Sequence, residues 1–341
     1  MPKLSQTLPP MTIDIEFAKI GLEEFFSSSK SRIIRFFSPG EPTLAFEKMK
    51  EIWQIAKRMA GDKLIAELET NGHFGDDIAE WIESHIDRLW ISCDGPPEIQ
   101  DTQRPTHNNQ ASSSIVISNV RRFADNTRIQ FGVRPTISAS NLSRQIELVD
   151  YFNSLNVKYV AASPTYHSKY NSEIITPPLI KFAKYFVPAY YHALELDMFY
   201  QTLLIVNFDE EVDFYCQASI PTPRLTPDGY VSCCDWAAFG SPNLLHKSME
   251  NLIYGWYDSE SRKIRYDQSK INRIRQRNVQ YLSNHACSGC SALWHCAGGC
   301  IGKMMAETED LYLPTAQWCA AVRYLVRKLP INKSLYPVIH P

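Results

Sequence analysis

Short apolar or β-branched runs alternate with amphipathic stretches through the first half of the chain. The runs are Arg32 to Phe37 (RIIRFF), Lys63 to Leu68 (KLIAEL), Arg88 to Ser92 (RLWIS), Arg128 to Val133 (RIQFGV) and Val157 to Ala161 (VKYVA). Each ends in polar or turn residues, so five strands are predicted. Within Thr43 to Ala60, Phe46, Met49, Trp53, Ala56 and Met59 recur at three- and four-residue steps, and Gly61 stands where a helix would stop. Asp76 to His85, Ser112 to Phe123 and Ser143 to Leu155 have the same character. A helix between successive strands argues for right-handed βαβ units and a parallel sheet, open or curled into a barrel. Core packing accounts for the stripe of Met and aromatic side chains. The first unit is irregular: a polar start leads into a predicted helix, Ile13 to Phe26, with no strand before it.

The alternation stops after about Val187. Lys181 to Tyr200 reads as an aromatic helix with Pro188 as a candidate break, and LLIVNF follows it. The pattern therefore divides the chain into a β/α domain over 1–190, a linker over 191–210 and a cysteine-rich domain over 211–341. His107 to Ser114 (HNNQASSS) reads as a surface loop, and the charged tract Ser259 to Arg275 as a solvated helix or turn. With 35 basic against 37 acidic residues, no global field draws the protein to nucleic acid or to an anionic membrane. No long uncharged apolar run is present, and the first residues lack the basic-then-apolar build of a secretory signal, so a cytoplasmic protein with no membrane partner is expected. In that reducing compartment, nine cysteines point to metal rather than to disulfides.

Their distribution is uneven. Cys93 stands alone and reads as a small buried hydrophobe. Cys216, Cys233, Cys234, Cys287, Cys290, Cys296, Cys300 and Cys319 all fall in the last third or so of the chain, five of them in CSGCSALWHCAGGC and just beyond it. Thiolates two residues apart turn onto one metal centre, and others from nearby loops complete four-fold ligation. Gly298 and Gly299 beside Cys300 allow a tight turn and offer amide donors toward inorganic sulfides. Cys216 and the pair Cys233/Cys234 flank a Pro227-Asp228-Gly229 turn, which predicts a hairpin. Spacing alone does not separate an iron-sulfur centre from a zinc ribbon or knuckle.

The pattern CxxCxxxxxCxxxC with a further cysteine after it, preceded by PDGYVSCC, resembles the SPASM domain of radical S-adenosylmethionine (AdoMet) peptide- and protein-maturing enzymes, the sulfatase-maturating group among them. The first half agrees. Ser38 to Leu44 (SPGEPTL) is similar to the GGEPTL loop of that superfamily, Glu69 to Gly72 (ETNG) to its TNG strand end, and Ser92 to Arg104 (SCDGPPEIQDTQR) to its SxDG…R segment. The resemblance implies an α/β fold, a partial (β/α)6-type barrel lacking its first strand, followed by a small cysteine-rich iron-sulfur domain. It implies that Gly40 and Glu41 face AdoMet, with Ser38 and Pro39 as departures from the loop, and that Ser92, Asp94 and Arg104 are cofactor-side residues. It also implies that Cys287, Cys290, Cys296 and Cys319 hold one [4Fe-4S] cluster. Cys216, Cys234 and Cys300 would hold a second, open at one iron or filled by another ligand, with Cys233 left over. Asp235 matches the position of a catalytic base in sulfatase-maturating relatives.

One departure is large. The chain has no CxxxCxxC, the three-cysteine loop whose cluster chelates AdoMet in this superfamily. That loop would follow the strand whose absence the periodicity also suggests. The expectation is therefore a maturase of a peptide or protein side chain, reduced by a flavodoxin or ferredoxin, that is N-terminally truncated or catalytically degenerate as it stands; AdoMet binding depends on an upstream CxxxCxxC. A non-catalytic iron-sulfur homologue that binds peptide or transfers electrons is the first alternative. A zinc-binding interaction module is the second.

Overall fold

The computed structural model describes residues 11–37, 40–166, 176–205 and 211–329. Eight strands lie in the first two thirds of the chain: Ile33–Phe36 (β1), Ile65–Thr70 (β2), Arg88–Ile91 (β3), Gln130–Val133 (β4), Thr136–Ile137 (β5), Tyr159–Ala161 (β6), Ser163–Pro164 (β7) and Phe199–Gln201 (β8). Six of them form a parallel sheet in the order β1-β2-β3-β4-β6-β8, while β5 and β7 form a short parallel pair. The helices that alternate with them are Ile15–Ser28 (α1), Phe46–Ala60 (α2), Asp76–His85 (α3), Pro97–Gln103 (α4), Ser113–Ala124 (α5), Gln145–Ser154 (α6) and Leu179–Glu195 (α7). The α/β class, the five expected strands and the helices between them are all present. Gly61, at φ 60°, ends α2 as its position suggested.

The sixth strand is a correction. Phe199–Gln201 fell in the predicted helix and linker, whereas α7 stops at Glu195 and Asp197 turns the chain at φ 54° into β8. The helix also runs through Pro188 without a break. Phe182, Phe186, Ala189, Tyr190 and Ala193 bury one continuous face of α7, and that burial outweighs the single backbone bond that proline cannot make. Tyr200 of β8 stacks on Phe186 at 5.1 Å. Among the described residues the sheet thus reaches six strands with β8.

The chain packs as two compact units. Unit 1 comprises residues 1–70, 76–89 and 217–276; unit 2 comprises 71–75, 90–216 and 277–341. In unit 1 the strands Arg224–Leu225 (β9), Tyr230–Ser232 (β10), Ile253–Asp258 (β11) and Lys263–Tyr266 (β12) form an antiparallel sheet in the order β12-β11-β10-β9. The expected hairpin is β9–β10, with Gly229 at φ 85° in its turn. Helix α1 lies against this sheet: Phe17 stacks on Tyr257 at 5.1 Å, and Tyr266 Oη donates to Glu24 Oε2 at 2.6 Å. The tract Ser259 to Arg275 is not simply solvated. It contributes β12 and most of helix Gln268–Gln276 (α8), with Ile264, Ile271 and Ile274 buried; three isolated isoleucines among charges carry too weak a period to be read.

Unit 2 holds α4 to α7 and the helices Val279–Ser283 (α9), Leu293–Cys296 (α10), Ile301–Thr308 (α11) and Ala316–Lys328 (α12). Helix α12 packs on α7, where Tyr191 Oη donates to the Lys328 carbonyl at 2.8 Å. No described helix is long and apolar enough to cross a membrane. The expected loop His107 to Ser114 ends early, because Asp101 of α4 caps α5. Its carboxylate accepts from Ser112 N, Ser113 N and Ser113 Oγ, each at 2.8 Å, which buries both serines. Burial disfavours the Asp101 charge, but these three donors outweigh it and hold the carboxyl below the usual range. Asp101→Ala should therefore cost about 1 kcal/mol at neutral pH. A depressed pKa means that this contribution is complete above the ordinary Asp pKa of roughly 4 and disappears as pH falls through the folded value. Denaturant titrations of the two proteins should accordingly differ at pH 7 and converge in acid.

Candidate metal centre

The four cysteines expected to share a centre are brought together in unit 2. After α9 the chain turns tightly: Leu282 O accepts from His285 N and Cys287 N, and Cys287 O accepts from Cys290 N, with Gly289 at φ 65° inside the CxxC turn. Ala297, Gly298 and Gly299 then follow α10 with φ of 40°, 79° and 74°. Three successive left-handed residues fold the segment back between Cys296 and Cys300. A Cβ on Gly299 would meet the Trp318 indole at 2.4 Å, so glycine is required there twice over. The Gly299 N–H donates to Cys296 O at 2.8 Å, so it is not the sulfide donor expected from sequence. Cys319 arrives on α12, whose start Thr315 caps by accepting from Trp318 N.

Cys287, Cys290, Cys296 and Cys319 line one small cavity, with Ala292, Leu293, Pro314 and Val322 among its walls. Burial pushes the Cys287 thiol up to about 11 and the Cys296 thiol up to about 12; neighbouring thiolates push further, since each would repel the next. Cys319 is raised for the same reasons. Cys287, Cys296 and Cys319 ionise together only around a cation that neutralises them. The Trp318 indole N–H is fully buried and forms no hydrogen bond, yet it lies near enough to the Cys296 sulfur to oppose the rise there. An unsatisfied donor facing sulfur suits an electron-rich sulfur centre. At the rim, Arg323 Nε donates to Cys290 Sγ at 3.5 Å.

Among the described residues, no three Cys, His, Asp or Glu side chains converge as they would on a single metal ion. Four cysteines of this kind hold either one zinc ion or a cluster in which each thiolate takes a different iron.

The second expected set is divided between the units. Cys216 and Cys300 are half-buried in unit 2, where with Cys296 they flank the buried hydroxyl of Tyr215, which donates to the Leu203 carbonyl. Cys234 is buried in unit 1 beside Cys233. Cys93 is fully buried with its thiol pushed up to about 12 by desolvation, consistent with an inert core residue. Arg277 was not foreseen. It is 1% exposed, and its guanidinium donates to the carbonyls of Leu311, Ala297, Gly298 and Gly299, clasping the loop between Cys296 and Cys300.

Asp235 in unit 1 is held on both oxygens: Arg224 Nε donates to Oδ1 at 2.8 Å, and Arg35 Nη2 forms a short ion pair with Oδ2. Burial opposes its charge, but the guanidiniums of Arg224 and Arg35 keep the carboxyl below the usual range. A carboxylate so held accepts a proton only after giving up a guanidinium. Gly40 is exposed, and Glu41 Oε1 accepts from Thr43 N at 3.1 Å, Thr43 Oγ1 at 2.9 Å and Thr70 Oγ1 at 2.6 Å. The GEP and TNG segments are thereby tied together through one carboxylate oxygen. Ser38 and Pro39 lie outside the described residues, as do 206–210 of the expected linker.

In unit 2, Asp94 is 1% exposed, and it accepts from Arg104 Nε at 2.8 Å and from Thr136 N at 2.7 Å, while Arg104 Nη2 donates to Thr136 Oγ1 at 2.8 Å. Ser92, half-buried just past β3, is not a member of this network. Thr136 was missed in the sequence because a strand-end threonine carries no distinguishing signal, whereas Thr70 was read only as part of the TNG strand end.

No model of a known protein family matches the chain. Solved structures do share its fold. The chain is 18% identical to anSMEcpe, an anaerobic sulfatase-maturating enzyme, solved with bound AdoMet, over 96% of this chain and 87% of that one, at a TM-score of 0.68. The same protein with bound AdoMet and the Kp18Cys peptide matches at 18% identity, 92% and 86% coverage and a TM-score of 0.65. Streptococcus suis SuiB bound to precursor peptide SuiA matches at 13% identity, 84% and 64% coverage and a TM-score of 0.51. At such identities the likeness is one of fold.

Asp94 is buried and Arg104 is its charged partner, so Arg104→Met strands a carboxylate. The expected cost is roughly 2–3 kcal/mol, below the range for a fully buried pair because Arg104 is partly exposed. Asp94→Asn, which keeps an oxygen acceptor, should cost less. Thermal melts of the two variants give the order.

Proposed function

We propose that the chain is an iron-sulfur protein of the radical AdoMet/SPASM type, acting on a peptide or protein side chain. The observation that carries this reading is the single cavity lined by Cys287, Cys290, Cys296 and Cys319, in a chain whose fold matches enzymes solved with AdoMet and with peptides. These four cysteines hold one [4Fe-4S] cluster, and Cys216, Cys234 and Cys300 contribute to the second. Cysteine-held clusters of this kind supply one-electron transfer, with a flavodoxin- or ferredoxin-type protein as the reductant.

The chain's own residues prepare the rest. Gly40, Glu41, Ser92, Asp94 and Arg104 belong to the cofactor side. Glu41 joins two strand-end loops, and Asp94 with Arg104 fixes a third, so the loops at the strand ends are held before any ligand arrives. Asp235 is the proton acceptor in this reading, with Arg35 and Arg224 holding it ionised until a substrate displaces one of them.

A second reading is favoured by one observation: no CxxxCxxC occurs in the sequence. In that reading the protein binds peptide or relays electrons through its auxiliary clusters and performs no AdoMet chemistry. Iron, zinc and acid-labile sulfide per chain, measured on protein prepared without oxygen, test both against a zinc module. Two four-iron clusters with matching sulfide are expected, and Cys287→Ser should lose about half of the iron, because each cluster depends on its own cysteines. Zinc with little sulfide overturns the iron-sulfur reading. Release of 5′-deoxyadenosine from AdoMet by the reduced protein separates the enzyme from the non-catalytic homologue.

A further inference from the structure

Arg277 stands out once the rest of unit 2 is assigned. It is among the largest fully buried side chains, and a guanidinium keeps its charge in any environment short of extreme base. Burying such a charge is costly unless an opposite charge compensates it. Its four hydrogen bonds go to backbone carbonyls at 2.6 Å (Leu311), 3.3 Å (Ala297), 2.6 Å (Gly298) and 2.9 Å (Gly299), and none goes to a carboxylate. Carbonyls satisfy its donors but carry no net charge. The groups that would attract it electrostatically, once ionised, are the thiolates of Cys216, Cys300, Cys296 and Cys287. Three of the four carbonyls it binds lie between Cys296 and Cys300, so the guanidinium both shapes the ligand loop and sits inside the thiolate field.

Resting on the iron-sulfur reading above, we propose that Arg277 is the built-in counter-ion and positioning residue of the thiolate-held centres, compensating the negative charge that four thiolates bring to a cluster. Its positive charge favours the more negative, reduced state of a nearby cluster, and its donors hold the carbonyls of the left-handed Ala297–Gly299 turn between Cys296 and Cys300, a part that the three donors of a lysine ammonium can take over. A purely structural clamp would use only the donors. A counter-ion requires the charge.

Wild type, Arg277→Lys and Arg277→Met, prepared without oxygen, distinguish these roles through iron release to a chelator and through the cluster midpoint potential. Wild type and Arg277→Lys should hold iron and sulfide alike, whereas Arg277→Met should release iron roughly 10- to 100-fold faster. Clusters that remain in Arg277→Met should have a more negative potential. Wild-type release and potential in Arg277→Met overturn the proposal, as does an Arg277→Lys variant that loses iron as fast as Arg277→Met. If Arg277→Met is recovered unfolded, Arg277→Lys decides by itself: iron held at the wild-type rate supports the counter-ion, and rapid loss overturns it. A wild type that takes up no iron and sulfide overturns the iron-sulfur reading directly, before the variants are compared.

Discussion

Thiols crowded into an apolar cavity can exist as thiols, or as thiolates around a cation, and little lies between. In unit 2 burial and mutual repulsion drive Cys287, Cys296 and Cys319 toward the protonated form, while burial of the Arg277 charge is costly without negative charge beside it. The two demands conflict in the empty protein and agree in one loaded with a thiolate-bound cluster. Much of unit 2 is organised around that conflict. Lys303 adds to it: 5% exposed and three residues after Cys300, its ammonium lies 4.6 Å from the centre of the Tyr166 ring and 5.6 Å from that of Trp318, and burial pushes it toward the neutral form, against which negative charge at Cys300 would act first.

The backbone meets this demand by local strain. Ala297, Gly298 and Gly299 all take left-handed conformations, and the carbonyls that such a turn exposes inside the fold are those Arg277 binds. Trp318 fills the space that a side chain on Gly299 would need, and its indole N–H faces Cys296. Ligand spacing, glycine, arginine and tryptophan are thus parts of one arrangement.

At the strand ends, each carboxylate named as cofactor-side or catalytic is already engaged. Glu41 bridges Thr43 and Thr70, Asp94 holds Arg104 and Thr136, and Asp235 is shared by Arg35 and Arg224. Such pre-formed networks fix loop geometry in advance of a ligand. They also set a condition on proton transfer by Asp235, whose basicity is lowered for as long as both guanidiniums remain.

Strand and helix order and the turn at Pro227 to Gly229 were legible in the sequence, because hydrophobic period and turn residues are local properties of the chain, whereas the grouping of Cys319 with Cys287, Cys290 and Cys296 rested on the family resemblance. Asp94 and Arg104 were named through the resemblance alone, and their ion pair across nine intervening residues came only from the structure. Strand β8 was hidden because Phe199, Tyr200 and Gln201 are too few to show a period and follow a helix of the same aromatic composition. The uninterrupted course of α7 through Pro188 was hidden because local propensity weighs the lost hydrogen bond and not the buried face that outweighs it. Arg277 was hidden most completely. It follows a run of charged residues that reads as solvated, and whether an arginine meets water or thiols is decided by which distant segments close over it. The sequence by itself determined which chemistry the chain can hold; the tertiary structure decided which charges surround it, because burial is a property of packing and not of order along the chain.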